Sequence, residues 1–330
     1  MSEHEHSPVD FVQWGRPVHR WVSPEAFLSR PEHGSGLHSI AYAGGTIDLG
    51  FNGEPLGATR QSAIPVFFLG LTKDRDGALG PYFSGLNISA EIGTSSIMVA
   101  DPTISDHGDL TLAWYAGCSE FEATVAMHRL LKGIAERYDV DLLLVGGSGG
   151  GFAALSAAHA IGPRAQVFCW NPQSDVLRYV PETISAYLRS AYPGSPVAHL
   201  DPAVDDDREK IRDYFDGRGI RTVVGDRDDT SRVLLLQNGS DWHVRAHFRP
   251  YVERRGLELL PDLPAYHRGS AVAAIGSWGQ GHVSPPRDVT VRAVQLLLGG
   301  RTAEETMRDL AGEFGALFPD RPHLRSGQSG

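Results

Sequence analysis

Short apolar runs alternate along this chain with amphipathic stretches. Eight runs have the length and boundaries of β-strands: residues 38–43, 46–51, 64–69, 96–100, 141–145, 165–170, 232–237 and 271–276, most of them closed by Gly, Pro, Asn or Asp. Leu142-Leu143-Leu144-Val145 and Val233-Leu234-Leu235-Leu236 are apolar at every position, as suits parallel strands covered on both faces. Helices are expected over 120–138, 151–161, 176–191, 206–218, 243–255, 287–298 and 302–316. In the first of these Val125, Met127, Leu130, Leu131 and Ile134 recur close to the helical period, and the second is Ala-rich. From residue 96 onward strand and helix alternate. That order predicts an α/β fold: a mainly parallel central sheet of about eight strands, helices on both faces, and right-handed crossovers.

The rhythm is missing in three places. Residues 1–36, rich in Pro, His and Trp, read as an irregular N-terminal extension to a main domain at 37–320. The Pro/Asp-rich stretch 193–230 is either a small insertion over a site, like a lid, or a solvated acidic connection. Residues 321–330 read as a disordered tail.

Composition narrows the function classes. An apolar content of 41% and a charged content of 21% suit a globular domain, and a net charge of −10 weighs against nucleic acid or an anionic membrane as main partner. Two cysteines, Cys118 and Cys169, rule out a disulfide framework and read as small core residues. No basic segment leads into an apolar one at the N-terminus, and no apolar run approaches the ~18 residues of a membrane helix. A cytoplasmic location is therefore expected, with a homo-oligomer left open.

The chemistry concentrates in Asp141–Leu155, where an apolar strand runs into Gly146-Gly147-Ser148-Gly149-Gly150 and then into the Ala-rich helix. In a nucleophile elbow, Gly-x-Ser-x-Gly, the serine sits on a strained strand-to-helix turn. Small residues are needed two before and two after it, because strand and helix backbones nearly touch. Gly146 and Gly150 hold those places, and the amide of Gly149 would donate to an oxyanion at the helix N-terminus. Two other readings fit the same glycines. Gly149-x-Gly151-x-x-Ala154 formally matches a dinucleotide turn, though some 140 residues precede it and the next strand ends in Trp170-Asn171-Pro172 rather than an acid. A turn without chemistry is the other. A phosphate-binding P-loop is excluded, because no Lys-Ser/Thr follows.

An elbow demands an acid and then a histidine after later strands. Asp241 follows the apolar run 233–236, and His282, in Gly-Gln-Gly-His-Val, follows the last one. Ser148, Asp241 and His282 are thus the expected nucleophile, orienting acid and general base. Asp175 and the Asp226/Asp228/Asp229 group compete with Asp241, with helix capping or solvation as their alternative use. The second oxyanion donor is expected at Asn52 or Gly53, after an early strand, where a plain β-turn reads equally well. His243 and His247 stand four apart on an expected helix, a formal metal pair. No acid or cysteine stands at a telling distance from them, so neither metal nor cofactor is expected.

Asp101-Pro102-Thr103, Trp114-Tyr115-Ala116-Gly117, the Gly146–Leu155 elbow and Asn171-Pro172-Gln173-Ser174-Asp175 together resemble a set of bacterial proteins. These are capsule- and glycan-associated proteins of the α/β-hydrolase fold, including the acetyltransferase-like component of the accessory Sec glycoprotein-export system. The resemblance spans roughly residues 45–290. It implies that fold, and a serine esterase or O-acyltransferase acting on an ester-bearing glycan or small molecule through Ser148, Asp241 and His282. The alternatives are a catalytically silent scaffold of the same fold that binds a glycan or a partner protein, and after it a dinucleotide-dependent enzyme that uses the glycine turn for phosphate.

Overall fold

The computed structural model describes residues 9–57, 63–72 and 77–319; the expected tail at 321–330 lies outside the described residues. The first half comprises β1 (Val18–Trp21), α1 (Pro24–Leu28), β2 (Gly36–Tyr42), β3 (Gly45–Asn52), β4 (Ala63–Phe68), α2 (Leu86–Ile92), β5 (Ser96–Val99), α3 (Pro102–Asp106) and α4 (Ala123–Arg137). Then come β6 (Asp141–Gly147), α5 (Gly149–Ile161), β7 (Ala165–Trp170), α6 (Pro181–Ala191), α7 (Asp205–Asp216) and β8 (Arg232–Asn238). The chain continues with α8 (Arg249–Arg255), β9 (Glu258–Leu259), β10 (Ala265–Arg268), β11 (Ala271–Gly276), α9 (Arg287–Leu298) and α10 (Ala303–Glu313).

All eight expected strands form, and three more extend them into one sheet of eleven, in the order β1-β2-β3-β5-β4-β6-β7-β8-β11-β10-β9. The interior pairs from β5 through β11 are parallel, whereas β3 runs against both its neighbours and β10 against β11 and β9. The pleat sorts each continuous apolar strand onto two cores. Leu142, Leu144, Val233 and Leu235 face the layer of α4, α5, α6 and α8, while Leu143, Val145, Leu234 and Leu236 face α2, α9 and α10.

The N-terminal segment departs from its expected irregularity. Val18–Trp21 pairs in parallel with β2, and Phe27 of α1 is fully buried. β1 itself is almost wholly exposed, so it has no apolar alternation to read. Within 193–230, α7 packs by Ile211 and Phe215, and no residue of this stretch lines the cleft described below. Among the described residues, no helix is long and apolar enough to cross a membrane.

Strand order reverses around β4. The chain goes from β4 to β5 on one side and then crosses back to β6 on the other. Connections leaving the carboxyl ends of β4 and β6 therefore diverge to opposite sides, which opens a crevice there.

Candidate active site

Ser148 stands at the carboxyl end of β6 with φ 54° and ψ −122°, a conformation a serine holds only when its surroundings enforce it. Its amide donates to the carbonyl of Trp170 (3.0 Å), and its own carbonyl accepts from Phe152 (3.2 Å) and Gln173 (3.3 Å). Strand and helix close on each other as the glycine spacing requires. A β-carbon on Gly150 would lie 2.6 Å from the carbonyl oxygen of Phe68, and one on Gly146 would strike the carbonyl of Gly150.

Asp241 and His282 come together from separate loops. His282 donates through Nδ1 to Oδ2 of Asp241 at 2.6 Å; the carboxylate is fully covered and the imidazole 38% exposed. Oδ1 accepts from the amide of His243 (3.0 Å), and the side chain of Gln237 approaches Oδ2 at 3.4 Å. Burial opposes the charge on Asp241, but the hydrogen bonds from His282 and His243 outweigh it and hold its carboxyl below the ordinary value. Ser148 and His282 both line one cleft of about 480 Å³ at the crevice.

Loops rather than helices carry this dyad, and cross-links fix them. Nδ2 of Asn238 donates to the carbonyls of Gly279 (2.9 Å) and Gly281 (2.7 Å), and the amide of Gly281 donates to Oγ of Ser240 (2.9 Å). Asn171, 1% exposed and at φ 42°, joins both loops to the turn after β7. Its Oδ1 accepts from the amide of Asn238 (2.7 Å), and its Nδ2 donates to the carbonyl of Val283 (2.7 Å).

Three of the four competing acids are engaged elsewhere. Asp175 pairs with Arg212 (3.0 Å) and Arg178 (3.6 Å) and caps the turn at Leu177. Asp229 pairs with the buried Arg255 (2.6 Å), and Asp226 pairs with Arg221.

The expected oxyanion donors Asn52 and Gly53 are in the wrong place. Asn52 pairs with Ser96, the first residue of β5, and the ladder carries that level through Pro65 to Leu143. Leu143 precedes Ser148 by five residues, 148 − 143, and β3 is three strands from β6. Because β3 is antiparallel, its end faces the opposite rim of the sheet, a direction that a single-strand reading does not contain. The segment that does reach Ser148 follows β4. Gly70 and Leu71 line the cleft, and a β-carbon on Gly70 would lie 3.0 Å from the carbonyl oxygen of Gly147.

His243 and His247 are buried on a π-helical turn at Val244–Phe248 and its flank, which leads into α8. The fold supplies the acid that the sequence spacing concealed. Ligand atoms of Asp241, His243 and His282 lie within 4.8 Å of one another, a set able to hold a divalent ion in place of the Asp241–His282 hydrogen bond. Nδ1 of His243 is bonded to the carbonyl of Asn171 (2.9 Å), and its Nε2 is buried without a partner.

Sequence reasoning passed over the aromatic rim. Trp242, 45% exposed, packs on Tyr179 with ring centroids 5.7 Å apart and planes at 31°, and both line the cleft. The apolar Val180 and Val283, each also partly exposed, adjoin Tyr179 and His282 in the chain. A tryptophan directly after the expected acid Asp241 was the available signal.

No protein-family model matches this chain. No curated protein sequence matches it. Among solved structures it is similar to the capsule O-acetyltransferase of Neisseria meningitidis serogroup A, with a TM-score of 0.52 at 12% identity over 82% of this chain and 99% of that one. It is also similar to an acetyl xylan esterase from Paenibacillus sp. R4 (TM-score 0.48, 15% identity, 89% and 99% covered). A third is the mouse alpha/beta hydrolase domain-containing protein 10 (TM-score 0.44, 12% identity, 81% and 99% covered). The fold is that of the α/β-hydrolases, with a sheet enlarged to eleven strands.

Proposed function

We propose that this chain is a serine esterase or O-acyltransferase working through an acyl-enzyme on Ser148. The observation that carries the reading is the positive-φ serine at the head of α5, in one cleft with a histidine bonded to a buried aspartate. In this reading Oγ of Ser148 attacks an ester carbonyl carbon while its proton passes to Nε2 of His282, and Asp241 holds Nδ1–H and stabilises the imidazolium. The oxyanion is received by the amide of Gly149 at the helix N-terminus and by an amide of the Gly70–Leu71 segment, not by Asn52 or Gly53. His282 then returns the proton to the departing alkoxide. Water or a sugar hydroxyl resolves the acyl-enzyme by the same steps in reverse.

An ester-bearing carbohydrate or small molecule is the proposed substrate, with no metal or cofactor required. The Trp242–Tyr179 face offers a ring the flat apolar contact that a sugar's C–H face or an aryl group accepts. A protein of the same fold is, by name, a capsule O-acetyltransferase. Fluorophosphonate labelling tests the reading. The wild-type chain is expected to label and Ser148→Ala to remain unlabelled; labelling that survives the substitution overturns the nucleophile assignment. Absence of labelling in the wild type favours the non-catalytic scaffold.

A further inference from the structure

Three sequence motifs outside the Ser-Asp-His set converge on the nucleophile. Asp101, buried at the head of α3, accepts at Oδ2 from the amide of Tyr115 (2.7 Å) and at Oδ1 from that of Thr103 (3.0 Å). It thereby holds a tight turn in which Trp114 and Tyr115 both take positive φ, 53° and 60°. That turn aims Trp114 inward. The indole is 2% exposed and packs edge-on against Tyr179 (6.1 Å) and Tyr187 (5.7 Å), and its Nε1–H donates to Oε1 of Gln173.

Gln173 is fully buried, and an indole N–H has no acceptor capacity, so the amide can present only its oxygen to Trp114. The NH₂ end is left facing Ser148, with Nε2 3.4 Å from Oγ. The side chain lies across from the backbone contact in which the amide of Gln173 donates to the carbonyl of Ser148.

We propose that Gln173 is a catalytic residue, donating from Nε2 to the nucleophilic Oγ in an orientation locked by Trp114; this rests on the acyl-enzyme reading above. A donor on one lone pair of Oγ leaves the hydroxyl proton to point elsewhere, and His282 is the base on the open side of the cleft. In acylation, and equally in attack on a fluorophosphonate, the Oγ–H bond breaks and the proton passes to Nε2 of His282; the negative charge that grows on Oγ is stabilised by the amide N–H until the electron pair forms the bond to the acyl carbon or phosphorus. In deacylation Oγ is the leaving atom. Negative charge grows on it as its bond to the acyl carbon breaks, and the amide N–H stabilises that charge until His282 returns the proton.

The experiment is the second-order rate of fluorophosphonate labelling on the full chain, alongside thermal melting. Gln173→Leu is expected to slow labelling roughly a hundredfold, the lower end of the cost of losing one fixed donor at a reacting oxygen. Because Leu at so buried a place can impair folding, Gln173→Glu and Trp114→Phe accompany it. In Gln173→Glu the protonated side chain donates as glutamine does, whereas the carboxylate accepts the serine proton and turns it away from His282. The ratio of Gln173→Glu to wild-type rates is therefore expected to fall as pH rises across the range in which the variant still melts as wild type does, which a packing role does not produce. Trp114→Phe keeps the amide but frees its orientation, and an intermediate loss is expected. Labelling lost in Ser148→Ala but within about twofold of wild type in a cooperatively melting Gln173→Leu, or a pH-independent Gln173→Glu ratio, overturns this proposal alone. Labelling that persists in Ser148→Ala overturns the acyl-enzyme reading and this proposal with it.

Discussion

Asn171 donates its side-chain amide to the carbonyl oxygen of Val283 at 2.7 Å, and Val283 is the residue that follows His282. The same side chain accepts from the amide of Asn238 in the loop that carries Asp241, and its backbone neighbour Trp170 accepts from the amide of Ser148. One buried residue thus ties the turn after β7 to both loops, which Asn238 and Ser240 also link to each other. Asn171→Ala strands the amide of Asn238 and removes the tether on the His282 loop. The expected cost is about 1–3 kcal/mol of stability, together with a loss of labelling larger than that destabilisation explains. Asn171→Asp keeps the acceptor and loses the donor, so it should melt closer to wild type yet label slowly. Wild-type labelling in both variants would show that Trp278, whose Nε1 also donates to Val283 (2.8 Å), suffices to place His282.

Asp241 as the proposed orienting acid is separated by substitution from Asp175, the rival nearest to Ser148 in the chain. Asp241→Asn removes the charge that holds Nδ1–H of His282, and ester turnover is expected to fall roughly a thousandfold or more with the fold intact. Asp175→Asn weakens the pairs to Arg212 and Arg178 and should lower the melting temperature while leaving turnover near wild type. Turnover that followed Asp175 instead would move the acid there.

The parallel core and the elbow were legible because each depends on local chemistry. Continuous apolar runs such as Leu142–Val145 need two covered faces, and Gly146 and Gly150 are spaced for one close backbone approach. That Ser148, Asp241 and His282 each follow a strand of their own was likewise readable, and the fold brings them to one end of the sheet. What depends on strand direction was not. Asn52 and Gly53 end an apolar run as an oxyanion loop would, but β3 is antiparallel and delivers them to the far rim. The edge strands β1 and β9 and the short β10 between β9 and β11 were missed because runs of two to four residues, exposed along Val18–Trp21 and Glu258–Leu259, carry no apolar period. Gln173 stood in a motif singled out by resemblance, yet its use depends on Trp114, 59 residues away, and on which end of its amide that indole selects.

The relocation of the oxyanion donor can be checked in one pair of variants. Asn52→Ala, at the opposite rim from Ser148, is expected to leave labelling and ester turnover unchanged. Gly70→Ala places a methyl group about 3.0 Å from the carbonyl of Gly147, which pushes the segment after β4 away from the elbow. Turnover should drop in that variant with little change in melting temperature. The reverse pattern would return the donor to the β3 end.

Stability should weaken on the acid side of neutrality, and the sign follows from opposed groups. Burial holds His33, His38, His128 and His243 at about 4 and His247 at about 2, below the ordinary 6.5. Each then contributes stability that is complete above about 6.5 and is lost as pH falls toward its folded value, because the unfolded chain takes up the proton first. Burial also raises Asp48 and Asp101 to about 6 from 3.8, and these favour the folded state as pH drops through that interval. Between about 6 and 4 the five histidines outnumber the two carboxyls by 5 − 2 = 3 protons, so unfolding is promoted on balance. The melting temperature is expected to fall steadily from pH 6.5 to 4.5. His128, whose Nε2 has no partner, offers a clean check: His128→Leu should flatten that limb without a lost hydrogen bond. A melting temperature independent of pH across this range would mean that these histidines already carry protons in the native fold.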